Sequence, residues 1–570
     1  MASIQLNDNG EIVISQAMSQ KNENLVSAVL STMSTMKNPF DDFTELISIS
    51  SRIIPSQDVR DDIDQAFDKG LGKYQAYMTD CFVSKEKEVF DTIPMTKLKD
   101  FSSKHKRTSS VQQQKLTATQ DRTLYSRLLV VSQIRQPDLR QVLSYNLSTY
   151  PLALASSEGV RQKAKKETLM HAVEKAAKNP QLDLTTATKP IALVVDAMAL
   201  VRMASSKATE LPETFGDLAE KYYQQVQSMA RAYEATRIDW VADQYRHLSI
   251  KNAERLRRAD NCQGQRVKIT DASQKLPKQF TLKFLSNSEN KADLLEFIYA
   301  YFLQKAPEHT EILVTNKTSC SRLVFCNQPA EEVRELQSNH EEADTRMYMH
   351  VLHAIKSGFN TVLVASPDTD VLIIGLGVVG SHAPDAEIGM ITGTGKYKRI
   401  INISKVVETI GSSAAKSMPF VHALTGCDSV SGFYNRGKVR PLTLLLKDDI
   451  FSAGFENIHQ SLNPTPEAFR LIELFVCKLY GSKATQVNDA RYRLYKTGTT
   501  SPSLLPPNDD ALAQHVLRAL YQAMVWCDMS NQLNIPSPDG HGWKETDGAL
   551  DIVWRIKDIA HPQDLKVSIH

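Results

Sequence analysis

His340-Glu-Glu-Ala-Asp-Thr-Arg346 and, a short way downstream, Ala365-Ser-Pro-Asp-Thr-Asp-Val371 decide how this chain is read. The second stretch follows an apolar run, Thr361-Val-Leu-Val-Ala365. Acid at the carboxyl end of an apolar strand is where open α/β sheets hold their ligands. Carboxylates gathered in one crevice repel each other and resist desolvation unless something neutralises them. A divalent cation does so, and hard cations of the magnesium kind prefer oxygen ligands. The expectation is a metal-dependent phosphodiester site.

Working outward, the same pattern recurs. Pro190-Ile-Ala-Leu-Val-Val-Asp196 is an apolar run ending in acid, which suits a buried parallel strand. Residues 214–235 have helical periodicity, with Asp217 in the first turn. Arg237-Ile-Asp-Trp-Val-Ala-Asp243 is a second strand ending in acid, followed by a basic, helical stretch over 249–258. Glu311-Ile-Leu-Val-Thr315 is a weaker strand, 340–356 a helix, and 388–403 a hairpin around Gly393-Thr-Gly-Lys396. Strands alternating with helices at this spacing predict an α/β fold with a largely parallel sheet. Residues 1–185 read as a mostly helical region and 190–440 as the α/β domain. Residues 441–570 read as a helical region with a Pro/Gly-rich tail that Trp543 and Trp554 anchor.

The 570 residues suffice for two to four domains with ample core. A net charge of +2 means that any nucleic-acid surface is a local patch. The basic runs Lys104-His-Lys-Arg107 and Arg161-Gln-Lys-Ala-Lys-Lys166 read as solvated faces rather than phosphate contacts. Seven scattered cysteines without a CxxC pair argue against a zinc ribbon or disulfide framework and suit a reducing compartment. The N-terminus lacks signal-peptide form, and even 361–380 is broken by Asp368 and Asp370, so no membrane span is expected.

Singly, an aspartate after a strand is most often a helix cap or turn former, and for Asp196, Asp217 and Asp368 that reading would win. In combination, several strands aim carboxylates at one edge: Asp196, Asp243, the Glu341/Glu342/Asp344 group, Asp368, Asp370 and Asp428. Asp428 sits in a glycine-flanked turn, Gly426 to Gly432. Asp368 and Asp370 share a side in extended backbone. On a helix Glu341 and Asp344 share a face, so periodicity leaves the choice between Glu341 and Glu342 open. Two metal ions roughly 3.5–4 Å apart in such a cluster activate a water and stabilise the leaving oxygen of a phosphodiester. No Ser, Cys or His triad competes with that chemistry.

The segment 190–440 resembles the flap-endonuclease branch of the PIN-like nuclease superfamily. The resemblance is carried by Val194-Val-Asp196, Val241-Ala-Asp243 with the basic stretch after it, Glu342-Ala-Asp344, Asp368-Thr-Asp370 and Gly426-Cys-Asp428. It implies Asp196, Asp243, Glu342, Asp344, Asp368, Asp370 and Asp428 as catalytic metal ligands for two Mg2+ or Mn2+ ions, and it favours Glu342 over Glu341. It also implies Lys251, Arg255, Arg258 and Lys438 as nucleic-acid contacts. The implied activity is structure-selective DNA cleavage, as an endonuclease or 5′-exonuclease; the cysteines and the N-terminus point to an intracellular location, with the nucleus as the expected one. The alternatives are an RNase and an inactive PIN-like scaffold for nucleic acid or protein. The family's glycine-rich turn is degenerate in Gly432-Phe-Tyr-Asn-Arg-Gly-Lys438, and the basic stretch aligns with a one-residue shift. The outer regions, in Gln514-His-Val-Leu-Arg-Ala-Leu-Tyr-Gln522 and Gly540-His-Gly-Trp543, are similar in style to multicopy animal proteins for which a link to mobile elements is expected.

Weaker signals have plainer readings. Gly393-Thr-Gly-Lys396 lacks Walker spacing, and Gly375-Leu-Gly-Val-Val-Gly380 lacks strand–turn–helix context, so both are read as turns or close packing. His350 and His353 share a helix face as packing or surface residues, and Cys427 reads as a small buried residue.

Overall fold

The computed structural model describes residues 16–35, 46–48, 52–88, 90–91, 138–205, 211–245, 249–250, 264–305, 307, 310–323, 330–497, 501–529, 534–546 and 549–557. The chain divides into two compact units, one of residues 1–107, 212–218 and 262–294, the other of the remainder.

In the first unit Ile53–Ile54 pairs antiparallel with Arg266–Val267. Phe280 stacks on Phe284 at 5.0 Å, with Phe215 tilted against Phe284 at 5.5 Å. The fully buried Asn290 accepts from Val267 N and donates to the carbonyls of Gln265 and Phe284, so its burial is compensated. Helices Gln16–Thr35, Gln57–Asp64 and Ala66–Met78 agree with the helical texture expected there.

The second unit is built on an eight-stranded sheet. Its strands are β1 (Ile191–Asp196), β2 (Ala235–Val241), β3 (Glu311–Asn316), β4 (Ser319–Leu323), β5 (Glu331–Glu332), β6 (Thr361–Ala365), β7 (Glu387–Thr392) and β8 (Arg399–Asn402). They lie in the order β8-β7-β6-β1-β2-β3-β4-β5. The five central strands are parallel, and β8, β4 and β5 pair antiparallel at the edges. The α/β, largely parallel architecture is as expected, including the hairpin that joins β7 to β8. β1 up to its closing Asp196 and β6 after Thr361 are apolar runs because both faces of each strand are covered.

Fourteen or fewer residues suffice for most of the flanking helices that matter here. They are α1 (Glu167–Ala176), α2 (Ala197–Ser205), α3 (Ala343–Lys356), α4 (Thr369–His382), α5 (Ser412–Leu424) and the longer α6 (Asp509–Cys527). From β1 the chain builds β2 and β3 on one side, then returns to lay β6 and β7 on the other. The order therefore reverses between β1 and β6, and such a switch point opens a crevice at the carboxyl edge.

Helix α4 is apolar around its whole circumference and buried from Thr369 to Val379. Its glycines are packing sites within a helix, not turns. A Cβ at Gly375 would stand 2.2 Å from the Tyr348 hydroxyl, and one at Gly377 would stand 2.8 Å from the Pro419 ring. One core joins Leu154 and Leu169, the sheet, and Leu512 to Trp526 of α6, so residues from all three regions marked out in the sequence share it. Trp543 is buried and Trp554 meets Tyr150 edge-on at 6.3 Å, the anchoring role expected of both.

Candidate metal centre at the carboxyl edge of the sheet

Asp196 closes β1, and its Oδ1 accepts from Ala199 N, capping the first turn of α2. Its Oδ2 accepts from the hydroxyl of Ser366, which follows β6 and so spans the switch point. Asp368 caps α4 by accepting from Asp370 N. Both aspartates thus do the capping that their local sequence suggests, and their carboxylates are also close enough to repel each other.

Asp243, two residues past β2, accepts from the backbone N–H of Ala343, the first residue of α3. The helix expected over 340–356 therefore starts three residues later, with Glu342 in extended backbone at its N-cap. Glu341 and Glu342 precede the helix, so the helical face that would have joined Glu341 to Asp344 does not exist. Glu341 accepts from Ser249 Oγ at 2.8 Å, and Glu342 Oε2 lies 3.5 Å from Trp526 Nε1. Asp344, in the first turn of α3, joins Asp368 and Asp370: one oxygen from each lies within 4.8 Å of the others.

Lys166, which lies just ahead of α1, is the residue that sequence reasoning missed. Its Nζ donates to Asp370 Oδ2 at 2.9 Å and Asp368 Oδ1 at 3.4 Å, and pairs with Asp428 Oδ1 at 3.0 Å. The run 161–166 is not helical, and only Lys163 and Lys165 in it are the solvated charges expected. Arg161 is buried and donates to the Asp428 carbonyl, and Gly432 N donates to the Gln162 carbonyl. Ala164 lies so close to Gly426 and Gly432 that a Cβ on either would stand 3.1 or 3.2 Å from its own. Gly426 also has φ +109°, a conformation open to glycine.

Behind Asp370, His422 Nε2 lies 2.9 Å from its Oδ1. Lys438 Nζ contacts His422 Nδ1 at 3.0 Å, the His422 carbonyl at 2.7 Å and Thr425 Oγ1 at 3.0 Å. Lys438 is 1% exposed, which corrects its expected role as a nucleic-acid contact: its three donors are spent inside the protein. Lys251, Arg255 and Arg258 lie outside the described residues.

The charges are incompletely balanced. Burial, then repulsion from Asp243 and Asp368, pushes the Asp196 carboxyl up to about 6 despite its hydrogen bonds from Ala199 and Ser366. Burial and its neighbour Asp370 raise Asp368 against the pull of Lys166. Burial also raises Asp370, again opposed by Lys166. Burial works against the Lys166 ammonium, but Asp370, Asp368 and Asp428 outweigh it and hold its pKa above the usual lysine value. An all-carboxylate donor set with residual like-charge strain fits a hard divalent cation at Asp344, Asp368 and Asp370, with Asp196 and Asp243 beside it.

A second acid, Asp239 inside β2, belongs to the scaffold. It is fully buried, pairs with Arg237 at 3.1 Å and has His350 Nδ1 at 3.7 Å. Burial opposes its charge, yet Arg237 and His350 keep its pKa low.

No protein-family profile and no curated protein sequence matches the chain. Among solved structures, it is similar to a bacteriophage T5 flap endonuclease variant described as a pseudo-enzyme–product complex with DNA and metal ions. That match has 12% identity over 61% of this chain and 99% of that one, with a TM-score of 0.29. A T5 protein co-crystallised with metal ions matches at 12% identity over 60% of this chain and all of that one, with a TM-score of 0.28. A described putative arginyl-tRNA synthetase from Campylobacter jejuni follows at 11% identity over 65% of this chain and all of that one, with a TM-score of 0.14. At TM-scores this low the likeness bears no weight for chemistry.

Proposed function

We propose that the acidic edge is the active centre of a metal-dependent nuclease that hydrolyses phosphodiester bonds of DNA. One observation carries this reading. Carboxylates from β1, the end of β2, the first turn of α3, the cap of α4 and the 426–432 loop meet at the switch point of the sheet, although their mutual repulsion is costly. Lys166 offsets that cost only in part, a scaffold gains nothing from the remainder, and binding of a divalent cation would offset it. The order of the acidic motifs in the sequence, which resembles that of flap endonucleases, points the same way.

Asp344, Asp368 and Asp370 would hold Mg2+ or Mn2+, with Asp196 and Asp243 completing the acid set and Glu342 and Asp428 at its margins. Such an ion supplies a water of lowered pKa and stabilises charge on the leaving oxygen. The chain itself fixes the geometry. Ser366 and Ala199 orient Asp196, Ala343 N orients Asp243, and His422 and Lys166 hold the two oxygens of Asp370. Lys251, Arg255 and Arg258 would bind phosphates, a role that rests on sequence alone.

The test is cleavage of labelled flap, hairpin, duplex and single-stranded DNA and RNA by the full chain with Mg2+ or Mn2+, beside Asp344→Asn and Asp368→Asn. Cleavage of DNA by the wild type, lost in both variants, is expected. Binding without cleavage of any substrate would replace the enzyme by a scaffold, and cleavage confined to RNA would make it an RNase.

A further inference from the structure

We propose that Lys166 is a built-in cation that fills one of the two cation positions of the acidic centre, so that the chain binds a single divalent ion. The proposal deepens the nuclease reading and rests on it. Two-ion hydrolases need positive charge at two points roughly 3.5–4 Å apart. Here the carboxylates divide into two overlapping sets that share Asp368 and Asp370. Asp344, Asp368 and Asp370 offer oxygens to one centre. Asp368, Asp370 and Asp428 surround Lys166 Nζ at 3.4, 2.9 and 3.0 Å.

An ammonium has three donors and no acceptor, and three carboxylates match it fully. Asp370 already accepts at both oxygens, Oδ2 from Lys166 and Oδ1 from His422, which leaves one lone pair on each for the single ion. A second divalent ion in this set would have to expel the ammonium or sit against it, and like charges that close repel.

The lysine is delivered by structure rather than by chance contact of a long side chain. Its backbone carbonyl accepts from Leu169 N at the start of α1. The preceding residues are strapped to the 426–432 loop by the Arg161–Asp428 and Gly432–Gln162 hydrogen bonds and by the Ala164 contact with two glycines. Its side chain is 20% exposed, so the ammonium borders the crevice without being free in solvent.

The experiment is a count of bound Mn2+ by calorimetric titration and by depletion of the free-ion spin-resonance signal, on the full chain without nucleic acid. The forms compared are wild type, Lys166→Met and Lys166→Arg. One ion per chain is expected for wild type and for Lys166→Arg, and two for Lys166→Met, whose metal-free form should also melt at lower temperature. The wild-type count stands even if a variant does not fold: two ions in wild type overturn the proposal and leave the nuclease reading intact. A folded Lys166→Met that still binds one ion overturns it as well. No Mn2+ on any form would instead remove the nuclease reading beneath it.

Discussion

Lys438 Nζ and His422 Nδ1 lie 3.0 Å apart in a fully enclosed pocket, and the far side of the same ring meets Asp370. A carboxylate oxygen only accepts, so Nε2 carries the ring proton toward Asp370, and Nδ1 accepts from Lys438 Nζ, which has a hydrogen to give whether charged or neutral. Burial brings the Lys438 pKa down to about 7. Burial, together with Lys438 and Lys166, also keeps the His422 pKa well below the ordinary histidine value, so the ring is neutral. The pair is a support for Asp370 and not a surface patch. Lys438→Met removes the donor to His422 Nδ1 and Thr425 Oγ1 and leaves the His422 carbonyl only the 3.4 Å contact from Thr425 Oγ1. It should cost roughly 1–3 kcal/mol of stability for the group as a whole. The salt dependence of nucleic-acid binding should not change. Urea unfolding and salt-dependent binding on the same variant check both halves, and a shallower salt slope would return Lys438 to the phosphate contacts.

Asp196 is strained in the metal-free protein because its ionised form is disfavoured there. An acid whose folded pKa is raised loses stabilisation as pH climbs from the unfolded value near 4 through the folded value of about 6. Near pH 7.5 the full penalty applies. Asp196→Asn removes the charge and should raise metal-free stability by about 1–3 kcal/mol while abolishing cleavage and shrinking the stabilisation that Mn2+ gives the wild type. The check is unfolding with and without Mn2+. Unchanged or lower metal-free stability would mean that the carboxylate is not under charge strain.

The basic stretch after Asp243 is open to test by charge removal alone. If Lys251, Arg255 and Arg258 bind phosphates, replacing all three by Ala should weaken DNA binding and flatten its dependence on log salt by up to about 3 units. Cleavage at saturating DNA should change far less than binding. An unaltered salt slope would move the nucleic-acid surface elsewhere.

The strands and their terminal acids were legible because they are local signals, an apolar run followed by a carboxylate. Val195 with Asp196 and Ala365 with Asp368 needed no knowledge of distant chain. Two features were not legible, for one shared reason. The start of α3 was read too early because its cap is not local: Asp243, 100 residues back, accepts from Ala343 N, while Glu342 in the cap position makes no side-chain cap hydrogen bond. Lys166 was read as a solvated charge because its partner Asp370 is 204 residues away. What brings them together is the close approach of Ala164 to Gly426 and Gly432, and spacing along the chain does not encode that approach. Lys438 failed in the opposite direction. A lysine after a glycine-rich turn looks exposed, and only the enclosing His422, Thr425 and α5 bury it.

His515 gives a pH dependence separate from the acidic centre. It sits in α6, fully buried, with Nε2 2.7 Å from the Leu424 carbonyl and its ring edge-on to Phe433 at 5.2 Å. Burial, then the nearby Arg518, brings its pKa down to about 3 although the Leu424 carbonyl favours the protonated ring. A carbonyl only accepts, so Nε2 carries the proton and the ring is neutral in the folded protein. The unfolded chain protonates this histidine near pH 6.5 and the folded chain only near pH 3. Its stabilising effect is therefore complete above about pH 6.5 and drains away as pH falls towards 3, by roughly 2 kcal/mol between pH 7 and pH 5. His515→Gln keeps a donor for Leu424 but cannot titrate. It should be less stable than wild type at pH 7.5 and lose less stability on going to pH 5. Urea unfolding of both proteins at the two pH values, without divalent cations, measures the difference. Parallel losses in the two proteins would show that His515 takes up its proton as readily folded as unfolded, and the buried neutral ring would have to be abandoned.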